Sequence, residues 1–309
     1  MSGGRVVHLL AHYDDEYAAL PLIRAFQRAG HEQRFLYLTR PLRTGARRLA
    51  ESRALLAHLG LDPACAEAVG ETTQAADGRL AWALPKTLEV LDQLVGESRP
   101  GDILVTPAWE GGHQDHDACA ALAVALALIA GGERTALQVG LYHGRDTPGV
   151  LFSGAAPLPE NGPVTRLELT AGDWAAYAAA VRFYPSQAGV WSTLWPAMFA
   201  TFALRGYGYQ HLDPARVRER PHAGPLLYER RGRAAYADVR REVDALLDGI
   251  AQAPAAQPLG QQQQGGQRQG RQIVEQPKAQ KGRRKPGVVQ ARQQLQQDAL
   301  EQPRPGRNP

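Results

Sequence analysis

The chain has 309 residues, 44% of them hydrophobic, two cysteines and a formal net charge of +4. That is enough apolar material for one substantial core, and two cysteines as far apart as Cys65 and Cys119 exclude a disulfide framework and point to a reducing cytoplasm. No apolar segment of signal-peptide form stands before the first strand pattern and no apolar run reaches the length of a membrane span, so a cytoplasmic protein without a membrane span is expected.

In chain order, Val6 to Ala11 is a continuous apolar run suited to a strand buried on both faces, and Glu16 to Ala29 has helical spacing ending near Gly30. Phe35 to Thr39 reads as a second buried strand, Thr44 to Leu59 as a helix closed by Gly60, and Leu84 to Val95 as another helix. Asp102 to Thr106 is a third strand, Ala118 to Ala130 an apolar core helix, and Leu137 to His143 a further strand. After a loop at Pro157 to Pro163, Val164 to Thr170 reads as an outlying strand and Ala171 to Phe183 as a helix. Strands alternating with helices predict an α/β fold, a Rossmann-like, doubly wound and mainly parallel sheet with helices on both faces. Its first turn is His-Tyr-Asp-Asp-Glu rather than glycine-rich and would repel a pyrophosphate, which argues against a dinucleotide site.

From residue 252 onward, Gln, Arg, Gly and Pro dominate. Such a segment cannot bury enough apolar surface to offset its ordering entropy, so the sequence divides into a domain at 1–251 and a disordered basic tail at 252–309. The tail holds ten Lys or Arg against three Asp or Glu, a net of +7, which leaves −3 of the total +4 for the body. Without interleaved aromatics, it gives little case for specific nucleic-acid recognition.

Two clusters carry the chemistry: Ala11-His12-Tyr13-Asp14-Asp15-Glu16 and, about a hundred residues later, Gly112-His113-Gln114-Asp115-His116-Asp117. Each follows a strand pattern and precedes a helical one, where open α/β sheets place active sites. Zinc in a hydrolytic site takes three nitrogen or oxygen ligands and keeps a position for water. His12 and Asp15 on one tight loop and His116 on the other supply such a set, while Asp14, His113 and Asp115 remain for proton handling and charge stabilisation.

With these motifs, the chain resembles the zinc-dependent N-acetylglucosaminyl deacetylases of the LmbE or PIG-L type, whose signatures are A-H-P-D-D-E and H-P-D-H. The resemblance extends through Leu38-Thr39-Arg40, Arg48-x-x-Glu51, Leu59-Gly60 and Tyr184-Pro-Ser-Gln187, over roughly residues 5 to 230. Tyr13 and Gln114 replace the two family prolines, which bears on loop rigidity rather than on ligands, and Gly111-Gly112 stand where some members carry a tyrosine.

The resemblance implies zinc, with iron as the substitute such a donor set admits. It makes Asp14 the general base, with a helix cap as its other reading, and His113 the oxyanion partner held in its charged or correct tautomeric form by Asp115, whose other reading is an N-cap. Candidate substrate contacts are Arg48, which otherwise belongs to a solvated helix face, Asp77, where an Asp-Gly turn is the favoured reading, Trp109 as a stacking surface, and Gln187, which either touches substrate or packs. Trp191, Trp195 and Phe199 have helical spacing that fits core packing better than a sugar rim, His8 reads as a buried structural histidine, and the role of His143 is open.

The implied activity is removal of an N-acetyl or other N-acyl group from a glucosamine-type sugar conjugate. The alternatives are an N-acyl amidohydrolase acting on a glycopeptide, a lipid-linked sugar or an antibiotic precursor, and a vestigial deacetylase body serving as an interaction module through its tail. Because Asp14, Asp15, Glu16, Asp115 and Asp117 crowd the two motifs, a neutral acceptor is expected in preference to a strongly anionic one.

Overall fold

The computed structural model describes residues 4–252. The tail assigned to 252–309 lies outside them, apart from Gln252 at the end of the last helix.

Strand β1 (Arg5–Leu10) is buried from Val6 onward, as its unbroken apolar run requires. Its residues alternate between two cores: Val7 and Leu9 face one, Val6 and Leu10 the other. After α1 (Glu16–Arg28) comes β2 (Glu32–Tyr37), which begins three residues before the apolar run. Gln33 hid this start in the sequence; it is buried because its amide bonds His8 Nε2 at 2.9 Å and Ile23 O at 3.0 Å. His8 stacks on Phe35, so it is the structural histidine expected.

Helix α2 (Gly45–His58), strand β3 (Ala66–Ala68), helices α3 (Val69–Thr73) and α4 (Leu84–Val95), and strand β4 (Ile103–Pro107) follow. Helix α5 (Gln114–Ile129) starts four residues before its apolar run and is buried from Gln114 to Ala127, so a polar first turn is carried into the interior. Then come β5 (Thr135–Val139), β6 (Tyr142–His143), β7 (Ser153–Gly154), β8 (Thr165–Leu167), α6 (Ala171–Ala180), α7 (Ala188–Arg205), β9 (Tyr207–His211), α8 (Leu227–Arg230) and α9 (Tyr236–Gln252).

The single strand expected over Leu137 to His143 is in fact two. Glu110 accepts the N–H groups of Leu141 and Tyr142 at 2.7 and 2.8 Å, turning the chain out of the ladder, and β6 pairs with β7 instead.

The main sheet runs β3-β2-β1-β4-β5-β9-β8. Its first five strands are parallel, β9 is antiparallel to β5, and β8 is antiparallel to β9. Helices α4, α5 and α9 pack on one face, and α1, α2, α6 and α7 contribute to the core on the other. Each fully buried leucine of these layers is worth roughly 1.5–3 kcal/mol. Helix α1 leaves β1 toward one face and α5 leaves β4 toward the other, so the order reverses between these adjacent strands and a crevice opens at their carboxyl ends.

Candidate active site

The first motif is a loop folded on itself at the end of β1. The His12 N–H donates to Asp15 Oδ2 at 2.8 Å, which fixes Asp15 and leaves its Oδ1 toward the crevice. Asp14 has φ of 112°, a conformation that costs a non-glycine residue energy and that the surroundings must enforce. Its N–H donates to Glu16 Oε2 at 3.1 Å, Arg48 Nη2 donates to Tyr13 O at 2.7 Å and Asp14 Oδ1 at 2.9 Å, and Trp191 Nε1 donates to Asp14 Oδ2 at 3.2 Å. Both Asp14 oxygens are thus engaged away from the helix, and the cap position belongs to Asp15. Tyr13, in place of the family proline, is buried against Tyr37, so packing holds the loop that a ring would have restrained.

The second motif needs its glycines. Gly111 has φ of +70°, and a Cβ on Gly112 would lie 1.8 Å from Tyr142 O, so no larger residue fits while β6 packs there. His113 is the N-cap of α5, its Nδ1 accepting from Asp115 N at 3.2 Å, and His116 lies in the first helical turn.

The Asp115 carboxylate does not hold His113 as expected; only its backbone N–H, on Nδ1, bears on the tautomer. The carboxylate stands 4.0 Å from His113 Nδ1 and instead accepts the N–H groups of Gly78 at 2.6 Å and Leu80 at 3.0 Å. Gln114 Nε2 donates to Gly78 O at 3.1 Å. These bonds draw the Asp77-Gly78 turn to the crevice, where Asp77 Oδ1 lies 3.2 Å from His12 Nε2. Asp77 is therefore both a turn residue and part of the crevice wall.

Two overlapping groups offer ligand geometry, with donor atoms within 4.8 Å of one another: His12, Asp15 and His116, and His12, Asp77, His113 and Asp115. The first fits a metal ion. Asp15 Oδ1 is 3.3 Å from His116 Nε2 and Asp15 Oδ2 is 3.5 Å from His12 Nδ1, ion-pair contacts only, and neither buried His116 nitrogen makes a well-aligned hydrogen bond. Buried atoms without such a bond cost about 1–3 kcal/mol unless a ligand occupies them. His12 Nε2 faces the carboxylates of Asp115 at 3.3 Å and Asp77, the outer contact that orients a ligating imidazole. The second group fits poorly, because backbone donors occupy Asp115 and Arg233 Nη1 stands 2.8 Å from His113 Nε2.

The electrostatics agree. Burial alone would lower the His12 pKa, but Asp15, Asp115 and Asp77 hold it well above its ordinary value, and the same negative field favours a cation. Burial would raise Asp15, yet His116 and His12 keep it well below the usual carboxylate range. Burial, reinforced by Asp15 and Glu16 and opposed by Arg48, pushes Asp14 up to about 7, the range suited to a proton acceptor at neutral pH. Burial and then the positive potentials of His12, His116 and Arg233 hold His113 well below its ordinary value, so it is neutral rather than charged as one expectation had it.

The crevice is a cavity of about 350 Å³. His12, Asp14, Asp15, His113 and His116 line it together with three of the four expected substrate contacts, Arg48, Asp77 and Gln187. Arg48 is buried rather than on a solvated face. Trp109 is not at the rim: it is fully buried in the core, its Nε1 donating to Glu219 O at 2.9 Å, because the chain after β4 turns it beneath the sheet's C-terminal edge. Glu16, Asp115 and Asp117 also lie off the cavity wall, Asp117 having turned to accept the N–H groups of Glu110 and Gly111.

Sequence reasoning missed Tyr142, Phe152, Trp191, Arg231 and Arg233 on the wall. Only Trp191 had a signal, its helical spacing, and that read as core. Trp191 is both, buried in α7 and donating to Asp14. The Arg48-x-x-Glu51 pattern has a structural account too: Glu51 accepts from Ser186 N at 3.1 Å, tying the Tyr184–Gln187 segment to α2.

Residues 7–127 match the family model described as PIG-L: GlcNAc-PI de-N-acetylase. A comparison with curated proteins gave no match. Similar solved structures include a deacetylase of teicoplanin biosynthesis, 17% identical, covering 67% of this chain and 96% of its own with a TM-score of 0.44. A conserved protein of Thermus thermophilus is 21% identical, covering 69% and 95% with a TM-score of 0.44. The N,N'-diacetylchitobiose deacetylase of Pyrococcus horikoshii is 14% identical, covering 72% and 86% with a TM-score of 0.44. The match over residues 7–127 takes in both motif loops, so the likeness to the PIG-L family covers the stretch that carries the candidate site.

Proposed function

We propose that the protein is a metal-dependent deacetylase that hydrolyses the N-acetyl group of an amino-sugar conjugate, with zinc held by His12, Asp15 and His116. One observation carries the reading: a buried two-imidazole, one-carboxylate donor set, with its donor atoms within 4.8 Å of one another, opens into the same cavity as the Asp14 carboxyl. The family description, a de-N-acetylase of a glucosamine conjugate, supports it.

Zinc bound there would polarise the amide carbonyl and lower the pKa of a water toward about 7. Asp14 accepts the water proton as the oxygen attacks; Arg48 and Trp191 hold its carboxylate in place. His113, with Nδ1 accepting from the Asp115 N–H, carries its proton on Nε2 and donates it as a hydrogen bond to the tetrahedral oxygen once Arg233 turns aside. Asp14 then returns its proton to the departing amine, and Asp77, Arg48 and Gln187 hold sugar hydroxyls. Acetate release from N-acetylglucosamine conjugates by zinc-loaded protein tests the reading. Its absence across neutral, cationic and anionic conjugates, in protein that holds about one zinc per chain, would overturn it.

A further inference from the structure

Arg231 and Arg233 are cavity-lining cations to which the reaction above gives no binding task. They follow α8, which is docked on the second motif by the Leu227 N–H donating to Gly111 O at 2.9 Å. Neighbouring arginines are spent on the protein: Arg230 donates to Gly144 O and Thr147 O, each at 2.6 Å, and Arg220 pairs with Glu229. The Arg231 guanidinium makes no hydrogen bond or ion pair among the described residues. Its carbon lies 5.7 Å from the Tyr142 ring centroid and 5.8 Å from that of Phe152, in cation–π range.

The Arg233 guanidinium has His113 Nε2 as its one polar contact among the described residues, at 2.8 Å, and that contact is not a good hydrogen bond. A neutral imidazole accepts at one nitrogen, and His113 Nδ1 already faces the Asp115 N–H in the helix cap.

The wall's charges leave both guanidiniums uncompensated. Asp14 is met by Arg48, Asp15 by His12 and His116, and Asp77 by His12. Neither Arg231 nor Arg233 has a carboxylate in ion-pair range among the described residues. Burial and the charge of Arg233 both lower the Arg231 pKa, as expected of two cations with no anion between them. A planar fork matches the paired oxygens of a carboxylate or phosphate.

We propose that Arg231 and Arg233 form an anion subsite that recognises a carboxylate or phosphate on the acceptor part of the N-acylated substrate, the rest of that part packing on Tyr142 and Phe152. The substrate class is then an anionic amino-sugar conjugate, which reverses the neutral preference drawn from the motif carboxylates. The proposal rests on the deacetylase reading for its orientation in the cavity.

The test uses full-length, metal-loaded protein. Acetate release is compared for methyl N-acetylglucosaminide, N-acetylglucosamine 6-phosphate, N-acetylglucosamine 1-phosphate and N-acetylmuramic acid; binding of the unreactive products glucosamine, glucosamine 6-phosphate and muramic acid is followed by calorimetry. At least one anionic conjugate should be favoured over the neutral one by about tenfold or more in kcat/KM, Arg231→Gln should cut that preference by about threefold or more, and the double variant Arg231→Gln/Arg233→Gln should abolish it. The phosphate and muramic acid arms tell which anion is read. Equal kcat/KM for all four conjugates, or equal losses on neutral and anionic conjugates in the variants, overturns the subsite while leaving deacetylation standing. Calorimetric preference for glucosamine 6-phosphate or muramic acid that the double variant loses, with no acetate released from any conjugate, upholds the subsite and overturns deacetylation.

Discussion

Residues 5–139 and residues 140–252 build the same cavity in different ways. The first stretch supplies the candidate ligand group and Asp14 from loops at the carboxyl ends of β1 and β4, each next to the strand that positions it. The second supplies Tyr142, Phe152, Gln187, Trp191, Arg231 and Arg233 from separate places along the chain. The difference teaches that the candidate reactive groups are local to the parallel sheet, whereas the rest of the cavity wall depends on how later elements dock on it. Glu110 is one joint between the two, through Leu141 and Tyr142, and Gly111 another, through Leu227.

The sharpest way to break this division is at His116. His116→Ala should lose most of about one zinc per chain, measured by elemental analysis, and with it nearly all turnover. Full metal content in that variant would move the centre to the His12, Asp77, His113 and Asp115 group. Asp14→Asn should retain metal but lose roughly two to four orders of magnitude in kcat; loss of metal instead would make Asp14 a ligand.

The joint at Glu110 predicts a pH dependence of stability. Burial pushes this carboxyl up to about 8 despite its two backbone donors. A folded-state pKa above the unfolded one means the contribution is fully present below about 4.5 and is lost as pH rises through about 8, by at most about 5 kcal/mol. Denaturant titrations from about pH 4.5 to about pH 8.5 should show Glu110→Gln losing less stability than the parent over that interval. Parallel curves would show that Glu110 does not carry the effect.

A smaller effect probes the second stretch acting on the first. Trp191→Phe keeps the packing but removes the donor to Asp14 Oδ2, so turnover should fall by about tenfold, and the alkaline rise of the rate should shift to higher pH because the ionised carboxylate loses a hydrogen bond. An unchanged pH profile would leave Trp191 a packing residue. Trp109→Phe is expected to cost stability only, about 1–3 kcal/mol from the orphaned Glu219 carbonyl and lost packing, with no change in the ranking of substrates. A change in that ranking would return Trp109 to the binding surface.

What the sequence alone determined lies where structure and chemistry are local. The buried strands at β1 and β4 announce themselves as apolar runs, the helices by their period, and a tight loop between them holds His12, Asp14 and Asp15 together whatever else the chain does. Pairing that loop with His116 needed only the parallel order of the sheet. Tertiary structure decided the remainder, because burial and partnership are not properties of a single residue. Asp115 and Asp117 look alike beside His116, yet one holds the Asp77 turn and braces His12 from behind, and the other holds its own loop, so neither carboxylate lines the cavity. Trp109 and Trp191 look alike as aromatics, yet one lies under the sheet edge and the other against Asp14. Arg231 and Arg233 carry no pattern that separates them from Arg230, whose donors are spent on carbonyls; only the docking of Leu227 on Gly111 sets them on the wall. The sequence determined which groups can react, since reactivity follows from residue type and short spacing; the fold decided which charges face the substrate, since that follows from contacts between residues up to 177 apart.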